Sequence, residues 1–247
     1  YVKWDMNRHI TDLGSAYLKE KCQRELSHRY ILGLYSILER LNRNFPEVLF
    51  EGCSSGGGRY DAGMLYYMPQ TWASDNTDAV CRLKIQYGTS ILFPAITMGS
   101  HVSDVPNHQV RRITPLSTRF AAAMSGNLGY ELDLRKMSEE EKREVKEEIR
   151  FYKSIREVIQ MGRFYRLKNP QRGNEAAWNF VSEDGRTVIY CYFRILSDPL
   201  SLSFPVKLKG LDPDSVYRLE ENGLCYGGDE LMYAGITSYP EKGDFSS

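Results

Sequence analysis

The sequence lacks an excess of charge of either sign and lacks long apolar runs. Lysine plus arginine and aspartate plus glutamate each total 32 residues, so the formal net charge at pH 7 is zero. A neutral chain has no basic field for nucleic acid and little electrostatic attraction to membranes. No run approaches the roughly 20 apolar residues of a membrane helix. We therefore expect no nucleic-acid partner and no membrane partner.

The five cysteines are odd in number and far apart. No Cys-x-x-Cys spacing occurs, which argues against a zinc site or a redox dithiol. Scattered cysteines also argue against a disulfide framework, so we expect reduced thiols in the cytoplasm. We predict no metal and no cofactor.

Short apolar runs alternate with helical patterns over the first 135 residues. Predicted helices cover 24–44, 74–87, 111–118 and 138–162, the last with a capping box at Ser138 and Glu141. Predicted strands cover 1–5, 48–53, 70–73, 95–99 and 120–124. Alternating strands and helices indicate parallel β/α units. Five strands are too few for a closed eight-stranded barrel, which needs about 250 residues. Residues 1–162 are therefore predicted to be the second half of a (β/α)8 barrel.

After Gly162 the pattern changes to strands separated by turn residues. The predicted strands cover 176–181, 187–196, 204–208, 215–218 and 231–236, with turns at 182–185 and 211–214. This pattern predicts a small antiparallel β domain over 163–247. The chain begins at Tyr1 without an initiator methionine or a signal. We expect it to be part of a longer protein whose N-terminal part supplies the other barrel half.

Three polar clusters follow predicted strands, where barrel enzymes keep their catalytic groups. They lie at 3–8, 51–61 and 72–78. The run from Gly56 to Gly58 has neither the Gly-Lys-Ser/Thr ending of a phosphate loop nor a G-x-G-x-x-G spacing. It indicates a tight turn or a place where the backbone approaches a ligand.

Carboxylates at separate strand ends, with aromatic neighbours, suit glycoside hydrolysis. A retaining glycosidase needs one carboxylate as nucleophile and a second carboxyl as acid and then base. Asp5 fits the first role, and Asp75 and Asp61 compete for the second. Lys3 lies two residues before Asp5 and so on the same strand face, where it could hold Asp5 ionised or bind a sugar hydroxyl.

Three motifs resemble the α-galactosidases of glycoside hydrolase family 36 in order and spacing. They are Lys3-Trp4-Asp5-Met6-Asn7-Arg8, Cys53-x-x-Gly56-x-x-Arg59 and Trp72-x-Ser74-Asp75-Asn76-Thr77-Asp78. Segments 97–103, 106–109 and 124–131 resemble the family too. The resemblance implies an α/β fold: a partial (β/α)8 TIM barrel, strands four to eight, followed by a small antiparallel β-sandwich.

The resemblance also implies site roles. Asp5 matches the nucleophile and Asp75 the acid/base, which predicts carboxyl groups roughly 5–6 Å apart. The matching substrate-binding positions are Lys3, Asn7, Cys53, Gly56 and Trp72, with Cys53 and Gly56 at the galactose 2-hydroxyl. Asp61 is then structural, and His101 and His108 shape a loop.

The implied function is a retaining α-galactosidase that hydrolyses terminal α-galactosides of the melibiose and raffinose type through a covalent galactosyl–aspartate. By analogy with the family, a homotetramer is expected, and this chain alone is expected to be inactive. Two alternatives are a raffinose-synthase-like galactosyltransferase and a non-catalytic carbohydrate-binding module. An α-N-acetylgalactosaminidase is disfavoured, because Cys53 leaves little room for an acetamido group.

Overall fold

A computed structural model describes residues 1–7, 13–197, 199, 204–238 and 243–247. Arg8 of the first motif lies outside the described residues. The chain divides into two compact units, Tyr1–Asp75 and Asn76–Ser247. No helix in the described part of the chain has the length and apolar character needed to cross a membrane.

The first unit consists of three parallel strands and the helices between them. Its elements are β1 Val2–Asp5, α1 Leu26–Asn44, β2 Phe50–Cys53, α2 Ala62–Tyr67 and β3 Gln70–Trp72. β2 lies between β1 and β3 and pairs with both in parallel. One face of α1 packs on this sheet, because Leu34 and Leu38 recur at helical spacing and are buried with Phe50, Met64 and Met68. This core fixes the strands whose carboxyl ends carry the polar clusters.

The second unit begins with β/α elements and continues into antiparallel strands. The first part comprises α3 Ala79–Thr89, β4 Met98–Ser103, α4 Leu116–Ala123, β5 Asn127–Glu131 and α5 Glu139–Met161. The second part comprises β6 Arg163–Lys168, β7 Glu175–Val181, β8 Val188–Arg194, β9 Val216–Arg218, β10 Cys225–Gly227 and α6 Gly228–Tyr233. β4 and β5 pair in parallel, whereas β6, β7 and β8 form an antiparallel sheet and β9 pairs antiparallel with β10.

A single hydrophobic core joins both parts of the second unit. Trp178 of β7 is buried together with Phe120 of α4 and Ile155 of α5. Its indole Nε1 donates to Ser125 Oγ at 2.9 Å, so the polar edge of this large side chain is satisfied. The β7–β8 sheet is thereby anchored to the helices that precede it.

Several predicted elements are confirmed and several are wrong. The strand predicted over 120–124 is instead the last turn of α4, with Met124 as its C-cap, since a short apolar run rich in alanine suits a helix as well as a strand. Residues 231–236 were expected to be a strand, yet α6 extends to Tyr233 and Ile236 makes only an isolated bridge with Val206. β5 and β6 were not predicted. The helix expected from Ser74 begins at Ala79, with Asp78 as its N-cap.

Candidate active site

The register of the parallel strands places the candidate side chains in two rows. Lys3 lies opposite Glu51, which in turn lies opposite Gln70. Asp5 lies opposite Cys53, two residues nearer the carboxyl ends of the strands. Because side chains alternate between faces, both rows are on the same face of the sheet. We call Lys3, Glu51 and Gln70 the lower row; the upper row contains Asp5, Cys53 and, by the same alternation, Trp72.

Asp5 is the last residue of β1 and is exposed. Asn7 Nδ2 donates to Asp5 Oδ2 at 3.2 Å, and Asn7 Oδ1 accepts from the Ser55 backbone N–H at 2.7 Å. Asn7 therefore joins the Asp5 carboxylate to the glycine-rich loop after β2. This hydrogen bond orients the Asp5 carboxylate relative to that loop.

The glycine-rich loop, residues 54–58, lies directly against the chain that follows β3. Gly56 has φ +79°, and a Cβ added there would lie 2.6 Å from Ser74 Cα and 2.9 Å from the Asp75 backbone nitrogen. A Cβ on Gly57 would lie 2.8 Å from the Ala73 carbonyl oxygen. These two glycines therefore let the loop backbone pack closely against the backbone of residues 73–75. This packing connects the loop touching Asn7 to the segment carrying Asp75.

Cys53 is the last residue of β2, and its thiol is buried beside Asp5. Burial, together with the Asp5 carboxylate, raises the pKa of the Cys53 thiol to about 11. The thiol is therefore neutral at physiological pH and is unsuited to act as a nucleophile. It can instead pack closely against a bound group or donate a weak hydrogen bond.

Lys3 and Trp72 meet although they lie on different strands. The Lys3 ammonium lies 4.9 Å from the centroid of the Trp72 ring, within cation–π distance. Lys3 Nζ also lies 3.7 Å from Glu51 Oε1. Trp72 itself is 3 % exposed, so its position is fixed by packing.

The two acid candidates differ in their surroundings. Asp75 lies three residues beyond β3 and is exposed. Asp61 caps α2, where its Oδ1 accepts from the Met64 backbone N–H at 2.9 Å. This gives Asp61 the structural function that the resemblance implies. The roles of Asp5 and Asp75, and the predicted distance between their carboxyl groups, remain predictions.

Three further residues need description: His101, which lies in the second unit, and Glu51 and Gln70, which the sequence analysis does not identify. His101 Nδ1 lies 3.1 Å from Glu131 Oε2, which ties β4 to β5. Glu51 and Gln70 were not predicted as functional residues, although Glu51 precedes Cys53 by two positions and the strand alternation alone places it on the site face. Within the described residues, no three His, Cys, Asp or Glu side chains are grouped so as to hold a metal ion.

Comparisons with known proteins cover the whole chain. A family model described as melibiase matches residues 1–162, and one described as the glycosyl hydrolase family 36 C-terminal domain matches residues 175–247. The chain is 56% identical over 247 residues to α-galactosidase AgaA of Geobacillus stearothermophilus, covering 100% of this chain and 34% of AgaA. It therefore spans about a third of the length of this relative.

Solved structures of an AgaA variant in complex with raffinose and of another in complex with stachyose match the fold. Each has a TM-score of 0.96 and 55% sequence identity; the matches cover 99% and 100% of this chain and 34% of the AgaA chain. The predicted fold class, parallel β/α units followed by antiparallel strands, is confirmed by this match. The chain belongs to the melibiase family, within glycoside hydrolase family 36.

Proposed function

We propose that this chain carries the nucleophile and the acid/base of a retaining α-galactosidase that hydrolyses terminal α-galactosides. One observation carries the proposal: Asp5, Asn7, the glycine-rich loop and the backbone of Asp75 form a continuous set of contacts at the carboxyl ends of three adjacent parallel strands. Two carboxylates brought to one end of a parallel sheet are the minimum that a retaining mechanism requires.

The spacing of the two aspartates supports the assignment. In AgaA, an aspartate is replaced by asparagine in the raffinose complex and another by alanine in the stachyose complex, and these two aspartates are 70 positions apart. Asp5 and Asp75 are also 70 positions apart. Raffinose and stachyose also indicate the class of substrate that we propose for this protein.

The chemistry proceeds in two steps. Asp5 attacks the anomeric carbon while Asp75 donates its proton to the glycosidic oxygen, so the bond to the leaving group breaks as the galactosyl–Asp5 ester forms. Asp75, now a carboxylate, takes a proton from water, which attacks the anomeric carbon and releases Asp5. Two inversions at this carbon give galactose with retained α configuration.

The proposed parent protein is longer than this chain. This chain covers 34% of AgaA, which supports a longer parent. We propose that its additional N-terminal part completes the barrel and the sugar site. Within this chain we propose domains 1–162 and 163–247, in line with the two family models. We also propose a cytoplasmic location, because each of the five cysteines is a free thiol. A homotetramer rests on analogy with the family.

The test is hydrolysis of p-nitrophenyl α-galactoside by the full-length protein, with NMR of the first-formed galactose. We expect the α anomer first, and a β anomer would contradict the double displacement. Asp5→Ala should abolish hydrolysis, so activity near wild type would remove Asp5 as nucleophile. With sucrose as acceptor, galactosyl transfer in place of hydrolysis would identify the transferase alternative.

A second comparison separates the two acid candidates. Asp75→Asn should lose more activity on raffinose than on p-nitrophenyl α-galactoside, because p-nitrophenolate leaves without needing a proton. Asp61→Asn is the matched control, since asparagine also serves as an N-cap. It should keep the wild-type ratio between the two substrates. The reverse pattern would move the acid role to Asp61.

A further inference from the structure

We propose that Glu51 is a positioning residue that holds the Lys3 ammonium against the face of Trp72. The inference rests on the proposed function, because Lys3 is one of its substrate-binding residues. Glu51 was not among the predicted site residues, and nothing in its position suggests contact with substrate. It lies in the lower row, beneath Asp5 and Cys53.

The Glu51 carboxyl is fully buried and asymmetrically bonded. Oε2 accepts hydrogen bonds from the Tyr1 hydroxyl and from Gln70 Nε2. Oε1 is buried and has no hydrogen-bond partner among the described residues. A buried carboxylate is costly unless a cation or further donors compensate its charge. Hydrogen bonds satisfy Oε2, whereas Oε1 needs a nearby cation to compensate its charge.

Lys3 supplies that cation. Its Nζ lies 3.7 Å from Oε1, and the two residues are directly opposite each other in the strand register. The side chain of Lys3 is 33% exposed, whereas that of Glu51 is 0% exposed. The buried Glu51 carboxyl is therefore the more enclosed partner, and in this proposal it sets the position of the Lys3 ammonium.

Trp72 completes the arrangement. The ammonium lies 4.9 Å from the centroid of its ring, so it is attracted both by the carboxylate and by the π face. A free lysine side chain samples many rotamers, and fixing it in one of them costs conformational entropy. Glu51 and Trp72 together keep Lys3 in one orientation before a sugar arrives, which is how preorganisation contributes to catalysis.

The experiment compares three variants of the full-length enzyme. Glu51→Gln keeps the size of the side chain but removes its charge, and kcat/KM for p-nitrophenyl α-galactoside should fall on the order of 100-fold. Lys3→Met should cause a loss at least as large. The double variant should lose no more than Lys3→Met alone, because Glu51 acts through Lys3. Glu51→Asp, which restores the charge, should recover part of the activity.

The matched control is Glu39→Gln. Glu39 is an exposed glutamate on α1 that pairs with Arg43 at 3.5 Å. This variant should keep wild-type kcat/KM. Thermal unfolding of every variant separates a loss of folded protein from a loss of function.

Several outcomes would overturn the inference. They are wild-type kcat/KM in folded Glu51→Gln, losses that multiply in the double variant, and no recovery in Glu51→Asp. If Glu51→Gln does not fold, Glu51→Met takes its place, because it removes the charge and both carboxyl oxygens at similar volume. Wild-type kcat/KM in folded Glu51→Met would then overturn the inference.

A readout without activity distinguishes this inference from the proposed function. In a crystal structure of Glu51→Gln, we expect Lys3 Nζ to leave the Trp72 face. An unmoved Lys3 overturns the positioning role whether or not the enzyme is active. A full-length wild-type protein that hydrolyses no α-galactoside would instead overturn the proposed function.

Discussion

At the scale of single residues, Gly56 is under two constraints that a residue with a Cβ cannot meet without strain. Its φ of +79° is in the left-handed region, and a Cβ there would collide with backbone atoms of Ser74 and Asp75. Backbone cannot move aside as the end of a flexible side chain can. A larger residue must therefore displace the segment that carries the proposed acid/base.

Gly56→Ala should impair both stability and activity. Gly185 is a matched control, because its φ is +73° and nothing lies within 4 Å of an added Cβ. Gly185→Ala should reduce the free energy of unfolding by about 1 kcal/mol through the backbone conformation alone. Gly56→Ala should reduce the free energy of unfolding by more than Gly185→Ala does. It should also lower kcat, measured on p-nitrophenyl α-galactoside. Equal destabilisation of the two variants with unchanged kcat would refute the steric explanation.

At the scale of elements, α5 is specified by local sequence at its N-terminus and along its buried face. Ser138 Oγ accepts from the Glu141 backbone N–H at 3.1 Å, and Glu141 Oε2 accepts from the Ser138 backbone N–H at 2.8 Å. The capping box predicted from sequence is therefore confirmed. The buried residues Val145, Tyr152, Ile155 and Ile159 form the apolar face that packs in the core.

Ser138→Ala should destabilise the protein by about 1 kcal/mol, because it leaves the Glu141 N–H without its cap. Ser154→Ala provides the control on the same helix. Ser154 is exposed and its hydroxyl donates to the Phe151 carbonyl of the same helix at 2.7 Å. Its replacement by alanine should be neutral or slightly stabilising. Denaturant unfolding of both variants tests the cap, and equal effects would argue against it.

At the scale of the whole molecule, stability should depend on pH through a carboxyl buried between elements of the second unit. Glu148 of α5 is 8% exposed, and its Oε2 accepts from the Tyr130 hydroxyl of β5 at 2.7 Å. Burial, with a smaller contribution from Glu144, raises the pKa of Glu148 to about 7. The folded protein therefore keeps this proton at pH values where the unfolded chain has released it.

The sign of the effect follows from that difference. Below pH 4.5, the ordinary value for the carboxyl, both states hold the proton and the stabilisation is fully present. As pH rises to about 7, only the unfolded chain loses the proton, and up to about 3 kcal/mol of stability is lost.

Glu148→Gln removes this titration. The variant should match the wild type near pH 4 and exceed its free energy of unfolding at pH 8, as measured in urea. Glu147→Gln, on an exposed neighbour, should show no such divergence. Parallel pH profiles for wild type and Glu148→Gln would rule out the buried titration.

Elements marked by regular apolar spacing and flanking turn residues were predictable from sequence, whereas elements without these signals were not. β1, α1, β2 and β3 follow from apolar spacing and turn residues in the first unit. The strand predicted over 120–124 failed because alanine-rich apolar runs fit helix and strand equally until tertiary packing selects one. The unpredicted β6, with the sequence RFYRLK, lacks a strict alternation of polar and apolar residues. Its pairing with β7 is what identifies it as a strand.

Local sequence by itself determined the candidate residues, the polar clusters after strands and the caps, because these depend on neighbours a few positions apart. Tertiary structure decided which side chains meet. Three contacts join residues of different elements: Lys3 with Trp72, Lys3 with the buried Glu51 carboxyl, and Gly56 with the backbone of Asp75. Such contacts depend on the register of parallel strands, which packing of whole elements sets.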